Sequence, residues 1–253
     1  MLDKTQPVGS CGNTQSDIWS IKRELNDWLF VELDGVVQSG PFKGMALPRE
    51  SAWKETHLAP LLLGCYEEEL HGLIEQQINR MKDWDRAPNI VVVGAAEGYY
   101  AIGMKRRLPK ANVYAIEPSN ESLLILKAAA AANDTDIIVG ASLGEVFAAP
   151  DLVLMDCEGA EVEYLDYEKF PALANAHVIV EIHNLPNQKT DDILLNRFRG
   201  THRMVMYMEG PRDPNRYPSL FGTISDYRWL AVSEGRPCLM SWFSMTPKGV
   251  LQS

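Results

Sequence analysis

Two apolar segments in the second half of the chain end in acidic residues and a histidine. The segment DLVLMDCEGAE carries Asp156 and Glu158, and AHVIVEIHN carries Glu181 and His183. Short apolar runs of this kind predict buried parallel strands, and ligands of parallel sheets lie beyond the carboxyl ends of the strands. We therefore expect three carboxylates and an imidazole to converge at one edge of a sheet.

Such a cluster is compatible with two kinds of chemistry. Asp156, Glu181 and His183 could bind a hard divalent cation, Mg²⁺ or Mn²⁺, which would lower the pKa of a substrate hydroxyl. Alternatively, His183 acts as a general base without a metal, or a carboxylate such as Asp156 or Glu158 does so. The sequence leaves both open. Glu161 is equally compatible with a place at the start of the following helix.

A turn rich in small residues precedes this cluster. NIVVVGAAEGYY predicts a buried strand that turns into a helix over Gly94 to Tyr100. A dinucleotide-binding GxGxxG pattern would need glycine at Ala96 and Tyr99, which weakens the case for a nicotinamide-dependent oxidoreductase. Glu117 follows about twenty residues later, where an acidic side chain can accept hydrogen bonds from both ribose hydroxyls.

The turn and Glu117 together predict a nucleotide-like cofactor. The Gly140-Ala141-Ser142 segment closes a third apolar run at the same predicted edge and could pass under an adenine ring. The residues expected to contact the cofactor are Gly94, Ala95, Glu97, Gly98, Tyr99, Tyr100, Glu117, Pro118, Ser119, Ala141, Ser142 and Asp156.

From residue 88 onward, short apolar runs alternate with helical stretches. This alternation predicts an α/β fold with a doubly wound, seven-stranded, mostly parallel sheet. The seven runs are NIVVVG, NVYAIEP, TDIIVG, DLVLMDC, AHVIVEIH, HRMVMYM and RPCLMSWFSM. The helix ESLLILKAAAAAN is the clearest of the connections, because Ala and Leu favour helix.

The segments before residue 88 have a different composition and a different apolar pattern. Residues 1–15 are polar and predict a disordered tail. Residues 16–87 predict a helical cap, with a first amphipathic helix and a second helical stretch over residues 61–81. Residues 88–253 form the predicted catalytic domain. The apolar positions that define the two helices are Ile18, Ile21, Leu25, Trp28 and Leu29, then Leu70, Leu73, Ile74 and Ile78.

The connection between the last two strands, at about residues 209–236, is long and rich in Arg, Tyr, Trp and Pro. Long ordered loops of this composition are typical of substrate-facing insertions. A surface loop whose arginines pair with the many acids is an equally good interpretation. The candidates for the acceptor pocket are Arg212, Arg216, Tyr217, Tyr227, Arg228 and Trp229.

These motifs resemble the FkbM family of methyltransferases over roughly Asn89 to Asn184. The pattern comprises the GxxxG turn, Glu117-Pro118, the D-x-E-G-x-E segment at Asp156–Glu161 and the E-I-H at Glu181–His183. The resemblance implies a class I, Rossmann-like sheet whose final strand inserts antiparallel. One departure is Val92, two residues before the first glycine, where many class I methyltransferases carry an acid.

The function that the resemblance implies is methyl transfer from S-adenosylmethionine (SAM), usually to oxygen and less often to nitrogen. The acceptor would be a small molecule, a sugar, a natural product or a peptide. Metal assistance is seen in related methyltransferases with acids at the ends of strands four and five. A non-catalytic SAM-binding protein is the alternative, although it would have no need of Asp156, Glu181 and His183.

Composition limits the partners further. The chain has 34 acidic and 24 basic residues and a net charge of −10, which argues against long nucleic acid as a substrate. The four cysteines lack zinc-site spacing, as expected of reduced thiols in a cytoplasmic protein. No apolar stretch is long enough to span a bilayer, so no membrane partner is expected. A homodimer is compatible with these features.

Overall fold

The computed structural model describes residues 14–49 and 57–249, with no side-chain detail for residues 14–17. Of the predicted tail, residues 1–13 lie outside this part, and the first helix begins at Thr14. The strands are β1 (Asn89–Val93), β2 (Asn112–Ile116), β3 (Ile138–Val139), β4 (Leu152–Met155), β5 (His177–Glu181), β6 (His202–Met208) and β7 (Ser241–Pro247).

The seven strands form one sheet in the order β3-β2-β1-β4-β5-β7-β6. Strands β1 to β5 run parallel, whereas β7 lies between β5 and β6 and is antiparallel to both. This arrangement confirms the predicted doubly wound sheet and its antiparallel final strand. The carboxyl ends of β1, β2, β4 and β5 consequently meet at one edge, where the predicted site residues follow.

The central strands are apolar throughout because both faces of the sheet are covered. Side chains alternate along a strand, so Val92 and Leu154 contribute to one core while Val91 and Val153 contribute to the other. All four are less than 6 % exposed. Helices on both faces complete the two cores, as parallel sheets require.

The helices connect the strands and build the cap. They are α1 (Thr14–Glu32), α2 (Leu58–Leu63), α3 (His71–Met81), α4 (Tyr99–Arg107), α5 (Asn120–Ala132), α6 (Leu143–Val146), α7 (Glu161–Tyr164), α8 (Thr190–Phe198) and α9 (Ser225–Val232). Short 3₁₀ turns lie at Glu68–Leu70, Pro171–Asn175, Pro214–Arg216 and Pro218–Leu220. None of the helices in the described ranges has the length and apolarity that crossing a bilayer would need.

The predicted helical stretch over residues 61–81 is interrupted. Helix α2 ends at Leu63, because Gly64 adopts a left-handed conformation with φ of 75° and its N–H donates to Pro60 and Leu61 carbonyls. The chain then turns through Glu67, whose φ of 46° is unusual for a residue with a side chain. Helix α3 resumes at His71, and its predicted apolar face is buried.

A third core joins the cap to the long connection between β6 and β7. Leu29 of α1 and Leu62 of α2 pack with Leu220 and Ala231 of that connection, which contains α9. The connection therefore packs against the cap rather than extending freely into solvent.

Candidate functional site

The turn after β1 has a backbone path that requires glycine. Gly94 has φ of 74°, and a Cβ at this position would lie 1.5 Å from the carbonyl oxygen of Asp156. Gly98 has φ of 93° and is the N-cap of α4. Ala96 between them also has a positive φ, of 45°. The small residues thus let the turn pack directly against the end of β4.

Glu117 connects this turn to β2. Its Oε2 accepts a hydrogen bond from the Ala96 N–H at 2.9 Å, and its Oε1 accepts one from the Ser119 N–H at 2.8 Å. A carboxylate has about four acceptor positions, so each oxygen can accept a further donor. The turn and Glu117, which the sequence predicted as one site, are in direct contact.

The other predicted cofactor residues occupy varied positions around the same edge. Ser119 caps α5 and Ser142 caps α6, so both hydroxyls accept backbone N–H groups. Tyr99 and Tyr100 pack their rings against Phe42 of the cap. Ala95 is buried beneath the turn, Pro118 is exposed, and Glu97 and Ala141 are partly exposed.

His183 lies just beyond β5 and is held by Glu161 at the start of α7. Its Nδ1 is 2.8 Å from Glu161 Oε1, and the Glu161 side chain is fully buried. The same Glu161 oxygen accepts the Gly159 N–H at 3.1 Å. This arrangement leaves Nε2 of His183 directed toward Glu158 at 3.5 Å and Asp156 at 3.7 Å.

The surroundings of His183 favour its protonated form. Burial lowers its pKa, but the hydrogen bond to Glu161 and the negative charges of Asp156, Glu161 and Glu158 outweigh burial, so the pKa is raised above 6.5. The sequence left Glu161 undecided between a helix-flanking and a functional role. Its burial and its contact with His183 support the functional one.

A second group of carboxylates lies beside the first. Asp156, Glu181 and Glu67 each place an oxygen within 4.8 Å of the others. Asp156 Oδ1 and Glu181 Oε2 are buried without a hydrogen-bond partner, although the Asp156 side chain as a whole is 43 % exposed. Burial and then Glu67 raise the pKa of both Asp156 and Glu181, because three like charges are costly at this distance.

Two sets of side chains, which share Asp156, are therefore close enough together to bind a cation. One set is Asp156, Glu158 and His183, and the other is Glu67, Asp156 and Glu181. The predicted metal ligands Asp156, Glu181 and His183 are all in this region, but they divide between the two sets. Glu181 Oε1 is 3.9 Å from His183 Nε2 and is already paired with Arg236.

Sequence reasoning missed two charged residues, Glu67 and Arg236. Arg236 lies in the connection before β7 and donates to Glu181 at 2.8 Å, to Glu67 at 2.8 Å and to Glu234 at 2.9 Å. Its guanidinium also stacks 5.1 Å from the Trp242 ring centre. In the sequence Glu67 belongs to the run Glu67-Glu68-Glu69, which is typical of a solvated helix face; Gly64 was the one signal of a break.

The predicted acceptor residues divide into buried and exposed ones. Arg212 is 7 % exposed and pairs with Glu69 and Glu234, and Tyr217 belongs to the third core. Arg216 is exposed and pairs with Glu68. The remaining three lie on α9: Tyr227 lines a groove of about 360 Å³ against α1, Arg228 donates to Asn215, and Trp229 is 53 % exposed.

No protein family model matches the chain, and neither does any curated protein. The resemblance to the FkbM family thus stays a prediction. Among solved structures, a magnesium protoporphyrin IX methyltransferase from Synechocystis PCC 6803 with bound SAM is 10 % identical, with a TM-score of 0.45 over 91 % of this chain and 97 % of that one.

Two further structures resemble part of the chain. A precorrin-6y C5,15-methyltransferase from Geobacter metallireducens is 10 % identical, with a TM-score of 0.46 over 70 % of this chain and 88 % of that one. A ribosomal protein L11 methylase from Lactobacillus delbrueckii is 17 % identical, with a TM-score of 0.42 over 70 % and 77 %. Similarities this low leave the function of the chain to be argued from its own site.

Proposed function

We propose that the protein is a SAM-dependent methyltransferase that transfers a methyl group to an oxygen of a small-molecule or peptide acceptor. The observation that carries the proposal is the contact between the Gly94 turn and Glu117, at the carboxyl ends of β1 and β2. Ligands of doubly wound sheets bind at this edge, next to the point where the strand order reverses. Here that point lies between β1 and β4.

The residues present fit SAM as the cofactor. Glu117 has acceptor capacity left on both oxygens for the two ribose hydroxyls. Helix α4 begins at Tyr99 directly after the turn, and the N–H groups of its first turn lack acceptors within the helix, so they suit a carboxylate. The buried oxygens of Asp156 and Glu181 lack a donor that a ligand could supply.

When bound, SAM supplies an electrophilic methyl group on a sulfonium, so the protein has to align an acceptor oxygen and remove its proton. Nε2 of His183 is suited to take that proton, because Glu161 holds Nδ1–H and leaves Nε2 as the acceptor in the neutral ring. Asp156 and Glu158 lie within 4 Å of Nε2 and stabilise the imidazolium that results.

A divalent cation is a second way to activate the acceptor. Asp156, Glu158 and His183 lie close enough to share one ion, and the carboxylate of Glu161 on the far nitrogen of His183 is an arrangement common around metal-bound histidines. If a cation is needed, EDTA abolishes methyl transfer and Mg²⁺ or Mn²⁺ restores it. Unchanged turnover in EDTA after extensive dialysis contradicts the metal and leaves His183 as the base.

Calorimetric titration with S-adenosylhomocysteine (SAH) tests the cofactor assignment. Glu117→Ala removes the acceptor for the ribose hydroxyls, and we expect it to weaken SAH binding by about 1–3 kcal/mol. Glu121→Ala, an exposed glutamate in the first turn of α5, is the matched control and should bind SAH like the unchanged protein. NAD titrated in the same way should give no heat of binding.

Two results would contradict the proposal. Equal SAH affinity in Glu117→Ala and the unchanged protein would remove Glu117 from the site. Binding of NAD in place of SAH would favour an oxidoreductase. If SAH binds but no acceptor is methylated, and the His183→Ala variant behaves identically in every assay, the protein is instead a non-catalytic SAM-binding protein.

A further inference from the structure

Glu67 is placed at the cofactor edge by the break between α2 and α3. Its side chain is 3 % exposed, and its backbone holds a left-handed φ of 46°. Its Oε1 accepts from Arg236 at 2.8 Å, its Oε2 accepts from the Tyr100 hydroxyl, and its backbone N–H donates to Glu234 at 3.1 Å. Left-handed backbone at a residue with a side chain costs stability, and such positions cluster at functional sites.

Two carboxylates near Glu67 have buried oxygens that receive no hydrogen bond. Glu181 is 2 % exposed, and its Oε2 has no donor. The Oδ1 of Asp156 is also buried and without a donor. Since both carboxylates place an oxygen within 4.8 Å of an oxygen of Glu67, one cationic group can contact all three.

The size of the cavity beside these carboxylates bears on whether a hydrated metal ion or an ammonium group binds there. Glu67 and Asp156 are the two carboxylates that line a cavity of about 30 Å³, whose other walls include Gly94, Val92 and Trp242. This volume holds roughly one water-sized group. Mg²⁺ usually keeps several of its waters when it is bound, whereas this cavity has room for about one.

The charge of Arg236 and the number of carboxylates also favour a monovalent ammonium group over a divalent metal ion. Arg236 already lies against Glu67 and Glu181, and its repulsion of a dication is twice its repulsion of a monovalent group. A primary ammonium has three N–H donors, one for each carboxylate. Its fourth substituent is the carbon of the ligand that carries it.

We infer that Glu67, together with Asp156 and Glu181, binds the amino group of the methionine part of SAM. The inference rests on the proposed function, and it assigns the carboxylate of the same methionine part to the N–H groups in the first turn of α4, directly after Gly98. Gly94 of the turn lines the same cavity, and the Tyr100 hydroxyl donates to Glu67 from the first turn of α4. The segment between α2 and α3 is therefore part of the cofactor site.

The test compares SAH with its analogue in which hydrogen replaces the amino group, by calorimetry. The unchanged protein should bind SAH at least about tenfold more tightly, as expected for charge-assisted hydrogen bonds. In Glu67→Gln most of this preference should disappear, while affinity for the deaminated analogue stays within about twofold. Glu68→Gln, which alters only the exposed pair with Arg216, is the control and should keep the full preference.

Binding of the deaminated analogue to Glu67→Gln also shows that the variant is folded. If that variant does not fold, Asp156→Asn takes its place: loss of the preference in it supports the shared carboxylate site, and an unchanged preference contradicts it. Equal affinity of the unchanged protein for the two ligands overturns the inference while leaving the proposed function intact. The inference is also overturned if the unchanged protein binds Mg²⁺ and Glu67→Gln abolishes this binding without changing the affinity for SAH. Failure of SAH to bind at all overturns both.

Discussion

At the scale of single residues, the reaction that we propose depends on the charge that surrounds His183. A base must be deprotonated to work, so kcat/KM should fall as the pH drops below the raised pKa of His183. Because the hydrogen bond that His183 donates to Glu161 is the largest factor that raises this pKa, Glu161→Gln should move the acidic limb of the profile to lower pH by about one unit.

The control for this experiment is Glu163→Gln, an exposed residue on the same short helix. It should leave the limb where it is. Glu161→Gln should also lower the maximal rate, because the amide holds the imidazole less firmly than the carboxylate does. A lower rate with an unshifted limb would mean that Glu161 is structural, and a profile that is the same in His183→Ala would remove His183 as the base.

Individual residues also show what a sequence can reveal about a site. The Gly94 turn, Glu117, Asp156 and His183 were recognisable because each follows an apolar run, and parallel strands bring such ends together. Glu67 and Arg236 follow no strand. They reach the site only through tertiary packing of the cap and the long connection, and a glutamate in an acidic run gives no local sign that it is buried.

At the scale of elements, the connection between β6 and β7 is joined to the cap by buried ion pairs. Arg212 lies between Glu69 and Glu234 and also donates to the Cys65 carbonyl at 3.1 Å. Arg212→Ala should therefore lower the free energy of unfolding by about 3–5 kcal/mol, because it removes the arginine that pairs with the largely buried Glu69 and leaves Glu234 with Arg236 alone. Urea denaturation followed by tryptophan fluorescence measures this loss.

Arg216 in the same connection provides the matched comparison. It is exposed and pairs with Glu68 alone, so Arg216→Ala should cost less than about 1 kcal/mol. Similar losses in both variants would contradict the structural role assigned to Arg212. Both arginines were predicted as acceptor candidates from the composition of the connection. Composition does not encode where the connection packs, so it could not show that Arg212 is buried and Arg216 exposed.

The helix boundaries illustrate the same limit. Apolar periodicity correctly located the buried face of α3, but it also ran through Gly64 and predicted one helical stretch where there are two helices and a turn. The spacing of apolar residues indicates which face of a helix is buried. It does not reveal a short break after which the apolar residues continue on the same face. A glycine inside such a pattern is the local signal for a break.

At the scale of the whole molecule, residues from four distant parts of the chain form one acidic site. Glu67 comes from the cap, Asp156 follows β4, His183 follows β5, and Arg236 comes from the long connection. The net charge of −10 is thus partly concentrated around the functional edge. A site of this charge repels anionic ligands.

The position of β7 affects how the chain must fold during synthesis. β6 pairs with β7 and not with β5, so β6 has no strand to bind until residues 241–247 have left the ribosome. At about 5–20 residues per second, the connection before them takes several seconds to translate. During that interval Val205, Met206 and Met208 have no neighbouring strand on either edge, and they stay about half exposed even afterwards. We therefore expect the nascent chain to need chaperone protection at this stage, and we expect β6, β7 and the Arg236 contacts to be added in one late step to the sheet of β1 to β5.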